Sequence, residues 1–325
     1  MENKKNINEK ENFLQKTLVV ALLAAVCTFL WGSAFPCIKI GYSLFDIPSD
    51  NTYTQILFAG IRFTLAGILT ILIGSVLNRE LLVPKKKSIL NIIKLSMFQT
   101  VLQYIFFYMG LARTSGVKSS IIEGSNTFIA ILIACLVFKQ EKLNLKKILG
   151  CVIGFAGVVL VNITKDGIDM NMTFMGEGAI LMSAVAYAIS SGLIKIYSKD
   201  DNPVMLSGYQ FLFGGILLMI AGFAMGGRIT QVNPQGIMML IYLACISAVA
   251  YSLWGVLLKY NPVSKVAVFG FMNPVFGVML SALLLKEKGQ AFSLVGLTSL
   301  VLVCIGIYIV NRENPLKEAS TGKIS

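Results

Sequence analysis

The chain has no histidine among its 325 residues. Zinc proteases within membranes, membrane di-iron enzymes and Ser-His hydrolases all use imidazole as ligand or base, so none of them is available by its usual chemistry. Charge is also scarce. Charged residues make up 14% of the chain, against roughly 25% in ordinary globular proteins. So few charges cannot cover a water-facing surface of this size, which excludes a soluble domain and intrinsic disorder. No CxxC occurs, and Cys27, Cys37, Cys135, Cys151, Cys245 and Cys304 all fall in apolar runs, which reads as packing and excludes a disulfide scaffold. No phosphate-binding glycine loop stands between a strand and a helix, so ATP hydrolysis is not expected. These absences point to no cofactor and no bound metal.

What is present is apolar. Hydrophobic residues make up 56% of the chain, and the mean hydropathy is +0.76. A helix crossing a bilayer needs about 20 mostly apolar residues. Ten such runs are legible, at 17–40, 53–77, 88–112, 119–138, 146–163, 176–197, 204–226, 235–258, 263–285 and 291–310. Turn signals separate them, among them Asp200-Asp201-Asn202-Pro203, Asn233-Pro234 and Asn261-Pro262. The first run is too long for a cleavable signal peptide, and Trp31, Phe35 and Pro36 stand where small cleavage residues belong, so it is expected to remain as an anchor.

The net charge of +12 raises the question of nucleic acid, and the placement of the charges answers it. With the N-terminus inside, the inside segments carry nineteen Lys and Arg and the outside segments six. That is the positive-inside pattern of a membrane protein with both termini in the cytoplasm, not a nucleic-acid footprint.

The chain also matches itself. At a shift of 146, Tyr108 falls on Trp254, Arg113 on Lys259 and Gly150 on Gly296, while Lys139-Gln140-Glu141-Lys142 falls on Leu285-Lys286-Glu287-Lys288. Nearer the N-terminus the shift drifts, and Gly67-Ile68-Leu69 meets Gly215-Ile216-Leu217. Five spans therefore lie on five. Five is odd, so the second copy enters the membrane from the opposite side. The expected fold is all-α, with ten transmembrane helices as two inverted five-helix repeats, the architecture of secondary carriers. The expected divisions are a tail at 1–16, repeats at 17–165 and 174–311, and a tail at 312–325.

Several motifs carry a family resemblance: Trp31-Gly32-Ser33-Ala34-Phe35, Ala59-Gly60-Ile61-Arg62-Phe63, Phe138-Lys139-Gln140-Glu141-Lys142 and the stretch from Asn273-Pro274-Val275-Phe276 to Lys286-Glu287-Lys288. The two halves resemble paired EamA domains of the drug/metabolite transporter superfamily. The resemblance implies a ten-helix carrier of a bacterial cytoplasmic membrane, often an exporter of amino acids or other small metabolites. In one place the chain departs from the family pattern. Where the family often has Glu-Pro in the fourth span, this chain reads Asn126-Thr127, so no role for that carboxylate is carried over.

The residues themselves supply site candidates. Arg62 lies ten residues into its span, roughly 15 Å deep at 1.5 Å per residue. An intramembrane charge marks a function or a structural pair, and here either a solute carboxylate or an interhelical partner satisfies the guanidinium. Glu123 shares a helical face with Ser119, Asn126 and Ala130. It carries a coupling proton, binds a cationic group or neutralises Arg62, and spacing leaves all three open. Gln99 and Gln103 lie one turn apart on the third span, and Gln210 lies in the seventh; as uncharged donors and acceptors they suit a polar solute or interhelical bonding. Trp31 and Tyr187 coincide under the repeat near mid-membrane, as cavity lining or filling. Asn273-Pro274 at mid-span is expected to break the ninth helix and free a carbonyl. Gly150, Gly154 and Gly157, with Gly222 and Gly226, form small-residue ridges for close helix packing or, less simply, a homodimer.

The function expected is a secondary carrier of a small polar organic metabolite in the lipid bilayer, directed outward, with no nucleic-acid partner. Efflux of cationic compounds and transport of nucleotide sugars are the alternatives. A membrane enzyme lacks the acid–base constellation, since Arg62 and Glu123 are the deep ionisable groups, and a receptor lacks an output domain.

Overall fold

The computed structural model describes residues 12–48, 50–111, 113, 122–161, 173–284 and 294–312, and these residues are helical apart from turns and short links. We number the helices α1 (Thr17–Leu44), α2 (Thr52–Asn78), α3 (89–111), α4 (Ile122–Val137), α5 (Leu145–Val161), α6 (Phe174–Tyr197), α7 (Pro203–Ala224), α8 (Pro234–Tyr260), α9 (263–284) and α10 (Leu294–Asn311). Six of them (α1, α2, α3, α6, α7 and α8) are long and apolar enough to cross a membrane. Shorter apolar stretches occupy Ile122–Val137, Val263–Gly277 and Val301–Asn311. The turn residues act by known chemistry. Asn202 and Asn233 cap α7 and α8 through their side chains, and Pro203 and Pro234 occupy the first helical position, where a missing N–H costs nothing.

Large apolar side chains such as Leu18, Leu72, Ile220 and Met238 face outward. Polar ones, including Arg62, Gln99, Gln103, Ser183, Gln210 and Ser247, are buried. The inversion of the soluble pattern is what a lipid solvent requires.

Helix pairing follows a rule. α2 packs on α7 and α5 on α10; α1 packs on α8 and α9, while α6 packs on α3 and α4; α2 touches α8, and α7 touches α3. Each pairing recurs when every helix number is advanced by five. The α2–α7 contact runs antiparallel, with Tyr53 beside Gly227, Leu57 beside Gly222, Gly60 beside Gly215, Gly67 beside Gly208 and Gly74 beside Val204. Glycine recurs every seven residues on both helices because the backbones touch. A Cβ at Gly60 would lie 2.4 Å from the Met219 nitrogen, and one at Gly215 2.4 Å from the Thr64 nitrogen. Gly150, Gly154 and Gly306 serve the α5–α10 contact in the same way. Gly222 serves close packing as expected, against Leu57 of α2, whereas Gly226 does not. Gly226 sits in a turn at φ 98° with nothing against it. Gly150 and Gly154 are occupied within the chain.

The bundle has two distinguishable ends. Asn261 donates to the Leu14 carbonyl and Lys265 to that of Gln15, Ser264 donates to Glu141, and Ser88 donates to Asp201. The described basic segments expected inside therefore gather at one end. The links 45–48 and 225–233 lie at the other, where Thr54 pairs with Arg228 and Asn233 donates to the Leu44 carbonyl.

Candidate functional site

A cavity of about 100 Å³ opens between the halves, lined from α1, α2, α3, α4, α6, α8 and α9. Its wall comprises Trp31, Ala34, Ile38, Arg62, Gln103, Tyr104, Phe107, Glu123, Asn126, Thr127, Tyr187, Tyr251, Gly270 and Asn273. It is somewhat smaller than the roughly 150 Å³ cavity that accepts benzene in an engineered protein core, so in this conformation it suits a solute of a few heavy atoms.

Arg62 is 3% exposed. Its Nε donates to the Leu243 carbonyl at 3.3 Å and its Nη2 to Ser247 Oγ at 2.9 Å, both on α8. A guanidinium has five N–H donors, so these partners orient it without exhausting it. Its charge is uncompensated: among the described residues no carboxylate lies within ion-pair distance. Among the described residues, Glu123 accepts one side-chain hydrogen bond, from Asn126 Nδ2 at 3.2 Å, and no cation reaches it. Arg62 and Glu123 thus share one cavity without forming an ion pair. Ser119, expected on the Glu123 face, lies outside the described residues.

Other polar atoms in the wall lack partners as well. Trp31 Nε1, Gln103 Oε1, Asn126 Oδ1 and Asn273 Oδ1 are buried with no hydrogen bond in the structure. Buried polar groups are normally satisfied, and these four leave hydrogen-bonding capacity directed at one cavity. The aromatic part is interlocked. Trp31 packs edge-on against Tyr251 at 5.0 Å and Trp254 at 4.9 Å. The hydroxyls of Tyr104 and Tyr251 share a hydrogen bond of 2.9 Å. Beside Asn273, α9 tightens into a 3-10 turn at Val268–Phe271 before Met272–Leu284 resumes as α-helix. The helix therefore changes its hydrogen-bonding register beside the cavity.

Trp31, Arg62, Gln103, Glu123, Asn126, Tyr187 and Asn273 are brought together. Gln99 and Gln210 are buried away from the cavity. Gln210 bonds α7 to α3: its Oε1 accepts from Thr100 at 2.6 Å and its backbone carbonyl from Ser96 at 2.8 Å. Phe107, Tyr251, Thr127 and Gly270 were not legible as wall residues. For Tyr251 a signal existed, since it stands 147 residues after Tyr104, close to the repeat shift, and meets it.

Helix content, apolar spans and buried polar groups define a multi-pass α-helical membrane protein with a cavity between its two halves. The EamA-like transporter family matches residues 18–163 and again 174–312, and the chain belongs to that family. An uncharacterized transporter of Archaeoglobus fulgidus is 26% identical over 300 residues, covering 90% of this chain and 97% of the relative. A probable amino-acid metabolite efflux pump of Escherichia coli is 27% identical over 311 residues, covering 91% and 94%. A chloroplastic WAT1-related protein of Arabidopsis thaliana is 26% identical over 215 residues, 63% of this chain; the chain spans about half the length of that relative (51%). A protein of known crystal structure superposes with a TM-score of 0.72 over 93% of this chain and 98% of its own, at 16% identity, and so shares the fold.

Proposed function

We propose that the protein is a secondary carrier that exports a small zwitterionic metabolite of the amino-acid class by alternating access between two inverted five-helix repeats. The observation carrying this reading is the coexistence, on one cavity wall, of Arg62 and Glu123, neither of which has an oppositely charged partner among the described residues. A carboxylate on the solute accepts from Arg62, where charge-assisted hydrogen bonds are strong. An ammonium on the solute is met by Glu123 together with the free oxygens of Gln103, Asn126 and Asn273. The solute supplies the partners that the protein withholds. Glu123 is also the group placed to exchange a proton for that ammonium, which couples export to proton entry.

Three features support the inverted repeat. The helix pairings recur on advancing by five. The corresponding helices α2 and α7 run antiparallel. Phe63 stacks on Phe211, 148 residues later, at 5.2 Å and 9° between ring planes. Gathering of the basic segments at one end supports cytoplasmic termini. The Escherichia coli relative's name as a probable amino-acid metabolite efflux pump supports the substrate class. Arg62 opposes purely cationic substrates, and a cavity of about 100 Å³ opposes nucleotide sugars.

Reconstitution in liposomes with a panel of amino acids, with and without an imposed pH gradient, tests the proposal. Gradient-driven flux of at least one zwitterion is expected, with Glu123→Gln uncoupling it from the gradient. Flux that ignores the gradient, or gradient coupling that survives Glu123→Gln, refutes the coupling role. Flux of cations alone refutes the substrate class.

A further inference from the structure

We infer that Glu141 is the latch of one gate: it ties the first half to the second at the end of the bundle that carries the basic segments, and it must release for the cavity to open there. The inference rests on the alternating-access reading above.

Glu141 stands in the link between α4 and α5, in the first half. Its Oε1 accepts from the backbone nitrogen of Ser264 at 3.1 Å, and its Oε2 accepts from the Ser264 hydroxyl. Ser264 lies at the start of α9, in the second half, where the first-turn N–H groups have no helical partner and attract a carboxylate. The same carboxylate is held from its own half by Lys147, at 2.7 Å. Next to it, Gln140 Nε2 donates to the Gly192 carbonyl of α6 at 2.9 Å. Two consecutive residues thus grip α9 and α6, two helices that carry cavity residues: Asn273 lies nine positions beyond Ser264, and Tyr187 five before Gly192.

The grip is placed to be broken. Between Ser264 and Asn273, α9 changes from α to 3-10 and back. A mid-helix 3-10 stretch is a recurrent hinge, and here it divides the latched end of the helix from the end that meets solute. The Glu141 and Lys147 side chains are 8% and 13% exposed, so their attraction is little screened while the halves are closed and is weakened by water once they part.

The test is accessibility. In protein whose native cysteines are replaced, Asn273→Cys is reacted with a membrane-impermeant maleimide supplied from the Glu141 end or from the opposite end. Glu141→Gln is expected to raise reaction from the Glu141 end about tenfold, the worth of one charge-assisted hydrogen bond, and to lower it from the other. Ser264→Ala, which touches only the α9 side of the contact, shifts both rates in the same directions. If Glu141→Gln disrupts folding, Ser264→Ala decides alone. Folded variants whose two rates stay within about twofold of the parent overturn the latch. Equal reaction from both ends in the parent overturns the carrier reading instead, so the two failures are distinguishable.

Discussion

Arg62 and Gln210 stand at equivalent positions of the two halves, 148 residues apart, as do their neighbours Phe63 and Phe211. Each reaches the helix packed on its own: Arg62 bonds Ser247 of α8, and Gln210 bonds Thr100 of α3. Arg62 combines its interhelical bonds with a place on the cavity wall, whereas Gln210 makes interhelical bonds away from the cavity. Replacing Arg62 by Gln therefore leaves an arrangement the fold already uses. That substitution is expected to lower kcat/KM for carboxylated solutes roughly ten- to a hundredfold, about 1.5–3 kcal/mol. It should cost far less for the amide of the same amino acid, which has no carboxylate. An equal loss for acid and amide would show that the arginine acts only on structure. Arg62 was legible in sequence because a charge in an apolar run stands out, and Glu123, Asn126 and Gln103 stood out for the same reason. Phe107 was not, because an aromatic residue among aliphatics looks the same whether it lines a cavity or fills a core, and Tyr251 was marked only by its repeat-shift distance from Tyr104.

Helices α2 and α7 meet through backbone rather than side chains, and this decides how the halves are joined. In lipid no hydrophobic force drives one helix onto another, so close contact and dispersion must hold them together. Gly215→Ala would force a methyl against the Thr64 nitrogen and the Phe63 carbonyl carbon, at 2.4 and 2.9 Å. It is expected to destabilise the protein by about 1–3 kcal/mol, seen as a lower unfolding midpoint in detergent. Gly178→Ala is the control: its nearest neighbour is the Phe174 ring at 3.4 Å, and little change is expected. The seven-residue spacing of Gly60, Gly67 and Gly74, and of Gly208, Gly215 and Gly222, is visible in the sequence, but which helix each stripe faces is not. Gly222 illustrates this: it belongs with Leu57 of α2, and no periodicity names a partner 165 residues away.

Across the whole molecule, the two halves are held by the α2–α7 seam along their length and by polar ties at the ends. Burial works to raise the Glu141 carboxyl. The hydrogen bond from Lys147, the two from Ser264 and the lysine's charge outweigh it, so the carboxyl is held below its ordinary range. A depressed carboxylate stabilises the folded form above its unfolded pKa, roughly 4.3, and loses that contribution as pH falls through the folded value. The difference in unfolding midpoint between the parent and Glu141→Gln should therefore be constant from about pH 8 to pH 5 and should shrink below about pH 4. A difference that grows on acidification would contradict the ion-paired state. What the sequence alone determined is the class: a chain this apolar, with charge this scarce and runs long enough to span, belongs in a bilayer, because hydropathy adds up along one dimension. Only the tertiary structure decided that Arg62 and Glu123 share a cavity without an ion pair, that Gln210 turns away from it, and that Glu141 ties the halves together. Those outcomes depend on contacts between residues more than a hundred positions apart, whose geometry no local pattern records.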